Sequence, residues 1–283
     1  MDDRDRVRSY YRAAGPREWH RLDEVGDGAI ELAVTCRALE AHLSAGARVL
    51  DIGGGPGRYA LWLARRGHAV SLGDLSPELV EIARGRVAEE GLDSRVSEIA
   101  VVDACDLSRW AAGSFDAVLS LGPFYHLVEP ADREQAAREL VRVLRPGGLA
   151  FVAWMPRQTF LRRTLSIPDE RHHLLDAGWL RRLLEEGVFE NDQPGRFDCG
   201  YGARPDEIEG FFAAHGLEQV ELLAVEGLAT GLGPAMRDLL AGGGALADAA
   251  IRLVVDSARD PTLLGAASHL LYVGRAVTGR VVR

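Results

Sequence analysis

Residues Arg48 to Ala60 read RVLDIGGGPGRYA. A short apolar run, Val49 to Ile52, is interrupted only by Asp51, and three glycines, Pro56 and Gly57 follow. Beyond them Tyr59, Ala60, Leu61, Leu63 and Ala64 recur at the spacing of one helix face. Strand, glycine turn and helix together make the opening of a βαβ unit. Glycines at 53, 55 and 57 permit positive φ and let a ligand approach the backbone. The helix that follows directs its N-terminal N–H groups at whatever sits there.

Two ligand classes fit such a turn. Gly55, Gly57 and Ala60 formally satisfy the G-x-G-x-x-G/A pattern of dinucleotide sites. Against a pyrophosphate, Pro56 removes a backbone donor where a phosphate wants one. Asp51 also places a carboxylate beside the phosphate position, where like charges repel and a cationic ligand is attracted instead.

Read outward, the chain alternates strands and helices. His68 to Leu72 is a second strand ending at Gly73-Asp74, and Ser76-Pro77-Glu78 starts a helix with a serine cap, proline at N1 and an early acid. Glu98 to Val102 and Phe115 to Leu121 are further strands. A helix over Asp132–Leu144 closes at Arg145-Pro146-Gly147-Gly148, before a fifth strand over Leu149–Trp154. The rhythm breaks between Pro156 and Tyr201, and returns with a helix from Pro205, a strand over Gln219–Val225 and a final strand over His269–Val277. Residues Ala29–Leu43 read as an amphipathic helix. The fold class is α/β: a doubly wound, mostly parallel Rossmann-like seven-stranded sheet with helices on both faces and a helical cap insertion. The expected division is an N-terminal helical lid (1–45), a ligand-binding core (46–155), a cap or substrate insertion (156–204) and a C-terminal completion of the sheet (205–283) with a second helical insertion near 228–265. Ligands on such sheets sit at the carboxyl ends of the strands.

Composition narrows the function. The 283 residues carry a net charge of −9, and all 33 basic residues are arginines. That balance disfavours a sequence-independent nucleic-acid binder. Cys36, Cys105 and Cys199 are widely spaced and give neither a metal spacing nor a disulfide framework. The charged N-terminus lacks the apolar stretch of a signal peptide, and no apolar run is long enough for a membrane helix. These features suggest a cytoplasmic protein, monomer or homodimer, with no nucleic-acid, membrane or metal partner. His172 and His173 are expected to face apart on a helix, which argues against a metal pair.

The stretches VLDIGGGPG, LGDLSPELVEIAR, VVDACDL, FDAVLSLGPFYHL and LRPGG occur in the order of motifs in the class I S-adenosylmethionine-dependent methyltransferases. The sequence resembles that family closely from Arg48 to Trp154 and loosely from Pro205 to Val277. The resemblance implies S-adenosylmethionine as cofactor, whose sulfonium and ammonium suit Asp51. Asp51 with Gly53, Gly55 and Gly57 would hold its amino and carboxylate groups. Asp74, 23 positions after Asp51 and followed by Leu75, would accept the ribose hydroxyls; the plainer reading of Asp74 is a turn aspartate. Asp103 would take the adenine amine and the Ala104 N–H a ring nitrogen, with Asp106 a competitor. Ser120 and Leu121 would underlie the methionine portion.

Gly122-Pro123-Phe124-Tyr125-His126 occupies the place where nucleic-acid and protein nitrogen methylases often carry an Asn/Asp-Pro-Pro-Tyr sequence. Its leading acid or amide is absent here, so the resemblance is to small-molecule methyltransferases with a Tyr-His pair. His126 is the candidate general base and Tyr125 a candidate for orienting substrate; a loop-bonding histidine and a packing tyrosine are the alternatives. Tyr11, Trp19 and His173 are candidates for the acceptor pocket. The expected activity is methyl transfer to an O, N or C atom of a small molecule, in secondary metabolism. The alternatives are an NAD(P)-linked oxidoreductase and a non-catalytic ligand-binding protein on the same fold.

Overall fold

A computed structural model describes residues 3–23, 26–193 and 197–277. The expected divisions 1–45 and 205–283 include positions 1–2, 24–25 and 278–283, which lie outside the described residues. The elements run α1 (Asp3–Ala14), α2 (Pro16–His20), α3 (Asp27–His42), β1 (Arg48–Ile52), α4 (Arg58–Arg65), β2 (Ala69–Asp74), α5 (Pro77–Glu89), β3 (Val96–Val101), β4 (Phe115–Ser120), α6 (Pro123–His126), α7 (Pro130–Val143) and β5 (Leu144–Pro156). Then come α8 (Arg157–Ser166), α9 (Ala177–Arg181), β6 (Val188–Glu190), β7 (Cys199–Ala203), α10 (Pro205–Ala214), β8 (Leu217–Ala224), α11 (Gly233–Ala241), α12 (Gly244–Ser257) and β9 (Leu270–Ala276).

The main sheet has seven strands in the order β3-β2-β1-β4-β5-β9-β8. The first five are parallel. β9 enters antiparallel between β5 and β8, pairing Phe151 with Val273 and Leu222 with Tyr272. A dinucleotide sheet continues parallel beyond its fifth strand, so this edge separates the two readings that the glycine turn left open. The order reverses between β1 and β4, and there the strand ends part to form a crevice.

Strand alternation distributes the core. Val49, Val70, Leu119, Phe151 and Val273 face α3, α4, α5 and α12, whereas Leu50, Ile52, Val118, Val152 and Tyr272 face α7 and α10. The expected α5 start is present, with the Ser76 hydroxyl accepting from Leu79 N at 3.3 Å. Asp116, on β4, ties β1 to β5 by accepting from Arg48 N at 2.7 Å and pairing with Arg145 at 2.6 Å. Most boundaries fall within two residues of expectation, and the start of β5 differs by more. β5 begins at Leu144, so that Arg145 to Gly148 bulge out between the pairs Phe115–Leu144 and Ala117–Leu149. Gly147, at φ +76°, allows the excursion.

The segment between β5 and α10 adds a β6–β7 hairpin beyond the end of β5, through Met155–Gly202 and Pro156–Ala203. It has its own small core of Phe160, Trp179, Leu183 and Phe189. Buried Arg157 fastens it by donating to the carbonyls of Gly202, Leu184 and Glu185. At the other end of the chain, α1 lies across three strand-end loops. Arg4 meets Asp103, Arg12 meets Glu78 and Tyr11 meets His126.

Candidate functional site

A cavity opens over the carboxyl ends of β1, β2, β3 and β4, with α1 and the start of α3 above it. Its empty volume, open mouth included, is about 1150 Å³.

The floor is the glycine turn. Gly53, Gly55 and Gly57 adopt φ of +69°, +53° and +92°, a region closed to most side chains. A Cβ on Gly53 would lie 2.5 Å from Pro123, and one on Gly54 would lie 2.8 Å from the Asp51 carboxylate. The backbone therefore passes directly over Asp51. That side chain is 1% exposed, and its Oδ2 has no hydrogen-bond partner among the described residues. Burial, aided by the charge of Asp74, pushes its carboxyl up to about 7. Gly57 is not in the cavity wall; it is the left-handed cap of α4, packed against Leu61 and Ala83.

Asp74 joins two turns. Its Oδ2 accepts from Gly55 N and its Oδ1 from Ser76 N, each at 2.8 Å. Burial raises its carboxyl to about 6 even against those donors. Each oxygen keeps a further lone pair for a ligand hydroxyl, so the turn role and the ligand role coexist. Asp103 accepts from Cys105 N at 2.8 Å and pairs with Arg4. Arg4 also reaches Asp132 at 3.1 Å. Leu75, Ala104 and Leu121 line the wall.

Tyr125 and His126 form the opposite end. The Tyr125 hydroxyl donates to Leu121 O at 3.2 Å. His126 Nε2 shares a 2.8 Å hydrogen bond with the Tyr11 hydroxyl, while Nδ1 is buried and unpartnered among the described residues. Burial lowers the imidazole to about 3, so it is neutral at physiological pH. Phe197 lies against its ring at 4.9 Å between centroids.

Two sequence candidates lie elsewhere. Trp19 does not line the cavity; its ring sits under the guanidinium groups of Arg58 and Arg86 at 4.9 and 4.6 Å. Glu18, Arg21 and Leu22 face the cavity instead, because residues three and four apart share a helix face and Trp19 is turned away from it. His173 belongs to the 3₁₀ segment Pro168–Leu175, stacked on Trp179 at 4.7 Å. It too lies outside the cavity wall. His172 and His173 do not face apart, since their rings are 4.1 Å from each other.

A charged cluster also stands in the wall. Arg21 is bidentate to Glu31 and donates to Glu18 at 2.9 Å. Burial acts to raise Glu31, and Arg21 reverses this, leaving the carboxyl below its ordinary value. Arg4 was missed but findable: with Val7 and Tyr11, which line the same wall, it stands at i, i+3, i+7 on one helix face.

Residues 49–148 match a family model described as a methyltransferase domain. Residues 49–148 are thus a methyltransferase domain of the class I S-adenosylmethionine-dependent family. It is 44% identical over 112 residues to Methyltransferase GfsG of Streptomyces halstedii, which covers 39% of this chain and 38% of that protein. It is 36% identical over 157 residues to a ubiquinone biosynthesis O-methyltransferase of Xanthomonas axonopodis pv. citri, covering 48% and 62%. The chain thus spans less than two thirds of either relative. Among solved structures, a Burkholderia thailandensis 1,6-didemethyltoxoflavin-N1-methyltransferase superposes with a TM-score of 0.59 over 96% of this chain and 87% of that one. At 17% identity this likeness speaks to the fold alone.

S-adenosylmethionine is the cofactor of this family, and the residues present fit it. An unpartnered buried carboxylate oxygen, Asp51 Oδ2, faces the cavity and suits a cationic group. Asp74 and Asp103 present carboxylates to the same cavity, and the glycine turn leaves the space that a Cβ would fill. Among the described residues, no helix is long and apolar enough to cross a membrane.

Proposed function

We propose that the protein transfers the methyl group of S-adenosylmethionine to a hydroxyl oxygen of a small molecule. The observation that carries this reading is a pair of orphaned buried polar atoms in one cavity: Asp51 Oδ2 on the floor and His126 Nδ1 at the far end. When bound, the cofactor supplies a methyl group already activated by its sulfonium. The protein's part is alignment, which is worth several kcal/mol of barrier, and removal of one proton. Asp51 takes the cationic amine, Asp74 the ribose hydroxyls, and Asp103 with the Ala104 N–H the adenine.

His126 Nδ1 takes the acceptor's proton, which requires the tautomer whose Nε2–H donates to the Tyr11 oxygen. A base as weak as this one does not ionise a resting hydroxyl. It accepts a proton once the oxygen has begun to bond carbon and its own proton has become strongly acidic. Residues 1–45, through α1 and Tyr11, act as a lid that excludes water, and residues 156–204, through Phe197, wall the acceptor end. The 36% identity to a ubiquinone biosynthesis O-methyltransferase supports an oxygen acceptor.

The test is incubation with S-adenosylmethionine and a panel of phenols, alcohols, amines and heterocycles, scored by mass spectrometry for methylated product. Methylation of hydroxyl compounds that falls sharply in His126→Ala, with cofactor affinity kept, is the expected result. Methylation confined to nitrogen or carbon acceptors would refute the oxygen assignment, and equal loss of turnover and cofactor affinity would make His126 structural.

A further inference from the structure

We propose that His172, His173 and Asp192 form a binding site for a divalent first-row transition ion, zinc foremost, that clips the 3₁₀ segment Pro168–Leu175 to the chain leaving β6. One ligand atom from each residue lies within 4.8 Å of the others. His172 Nε2 is 3.1 Å from Asp192 Oδ2, and His173 Nε2 is 3.8 Å from Asp192 Oδ1. A tetrahedral zinc with bonds of about 2.1 Å holds its ligand atoms roughly 3.4 Å apart. Each histidine nitrogen therefore stands within about 0.4 Å of that spacing from an oxygen of Asp192.

Two hydrogen-bonding facts point to a cation. First, His173 Nε2 is buried and has no partner among the described residues, although the residue is 9% exposed overall. Such a buried polar atom is costly to leave unpaired, and this one is directed at the carboxylate. Secondly, His172 Nδ1 lies 2.9 Å from the Asp169 carbonyl. A carbonyl only accepts, so Nδ1 carries the hydrogen and the neutral ring presents a lone pair at Nε2. That lone pair faces Asp192 Oδ2, a second acceptor, so the pair holds together with either a proton on the ring or a metal ion between them. A metal-bound histidine commonly donates its other N–H to a backbone carbonyl, which fixes the ring. Two imidazoles and a carboxylate suit zinc and its neighbours better than magnesium or calcium.

The rest of Asp192 is compatible. Its Oδ1 accepts from Gln193 Nε2 at 2.8 Å, a flexible contact. A second trio, Glu31, Glu226 and His269, meets the same distance test. There Arg21 already pairs with Glu31, and His269 Nδ1 with Glu226 at 2.7 Å. Its cations are in place, so it carries no metal proposal. The rings of these adjacent histidines lie on one side, 4.1 Å apart between centroids. Neither these histidines nor Asp192 lines the methyl-transfer cavity, so the ion would brace the insertion and take no part in the chemistry.

The experiment uses the full chain without a histidine tag, freed of metal by a chelator. Calorimetry with zinc is paired with cobalt titration followed by visible absorption and by Trp179 fluorescence, since that ring stacks on His173 at 4.7 Å. We expect one equivalent to bind with micromolar or tighter affinity, a tetrahedral cobalt spectrum and a raised Tm. Losing even an outer-shell partner costs roughly 10–100-fold in affinity, so Asp192→Asn and His172→Gln, both at exposed positions, should each lose at least that much while keeping the circular dichroism of the parent. Their affinity for S-adenosylhomocysteine should not change. Absence of saturable binding in the parent, or binding that persists in both variants, would overturn the proposal.

Discussion

Asp51 holds a carboxyl that burial keeps half-protonated near neutral pH, and this has a measurable consequence. Its ordinary value of 3.8 rises to about 7, which at 1.36 kcal/mol per tenfold is about 4 kcal/mol against ionisation in the free protein. A cationic amine beside Oδ2 favours the ionised form, so cofactor binding releases a proton wherever the free site still holds one. If only the ionised site binds, affinity is scaled by the ionised fraction. With half-ionisation at about 7, that fraction drops about tenfold between pH 8 and pH 6. Asp74, raised to about 6, steepens the loss below pH 6.

The assay is calorimetric titration with S-adenosylhomocysteine at pH 6, 7 and 8, in two buffers of different ionisation enthalpy, which counts the protons released. Asp51→Asn should bind weakly and lose the pH dependence. Stability carries the opposite sign. An acid whose folded pKa is raised binds protons more readily in the folded state, so its contribution to stability declines as pH rises from about 4 to about 7. Asp51→Asn should therefore raise the Tm of the free protein at pH 8 by removing that cost. Flat affinity from pH 6 to 8, with no proton released and no stabilisation by asparagine, would refute the reasoning.

Three other predictions rest on local geometry. Gly54→Ala places a Cβ 2.8 Å from the Asp51 carboxylate, so cofactor affinity should fall at least about tenfold with the far-ultraviolet circular dichroism unchanged; titration of the folded variant checks this. Asp74→Ala strands the Gly55 and Ser76 N–H groups, and its loss of cofactor affinity should be about 1–3 kcal/mol; unchanged affinity would remove Asp74 from the site. Tyr11→Phe removes the partner of His126 Nε2, worth about 1 kcal/mol, and should reduce kcat several-fold with S-adenosylhomocysteine affinity unaltered.

The core of the fold was legible because its signals are local. Alternating strands and helices, the serine cap of α5 and the glycine turn each declare themselves within a dozen residues. The acids that end β1, β2 and β3 were legible for the same reason, since topology brings successive strand ends to one crevice. What escaped depended on contacts far apart in sequence. Nothing local joins Arg4 to Asp103, or Tyr11 to His126 across 115 positions. Trp19 misled because an aromatic near a pocket motif invites a ligand role, whereas helix phase turned it toward Arg58 and Arg86. His172 and His173 misled because backbone phase says where Cβ points and not where a long side chain turns: their rings end 4.1 Å apart. The bulge at Arg145–Gly148 was read as a helix stop, which it is, but strand pairing already begins at Leu144.

The central claim is that the cavity over β1 and β4 holds the cofactor of this family through Asp51, Asp74 and the glycine turn. Parallel calorimetric titration of the purified protein with S-adenosylmethionine, S-adenosylhomocysteine and NAD tests it most directly. The account predicts micromolar binding of the first two, weakened at least about tenfold in Gly54→Ala and Asp51→Asn, and no heat from NAD. Binding of NAD alone, or binding of S-adenosylhomocysteine indifferent to both substitutions, would contradict it.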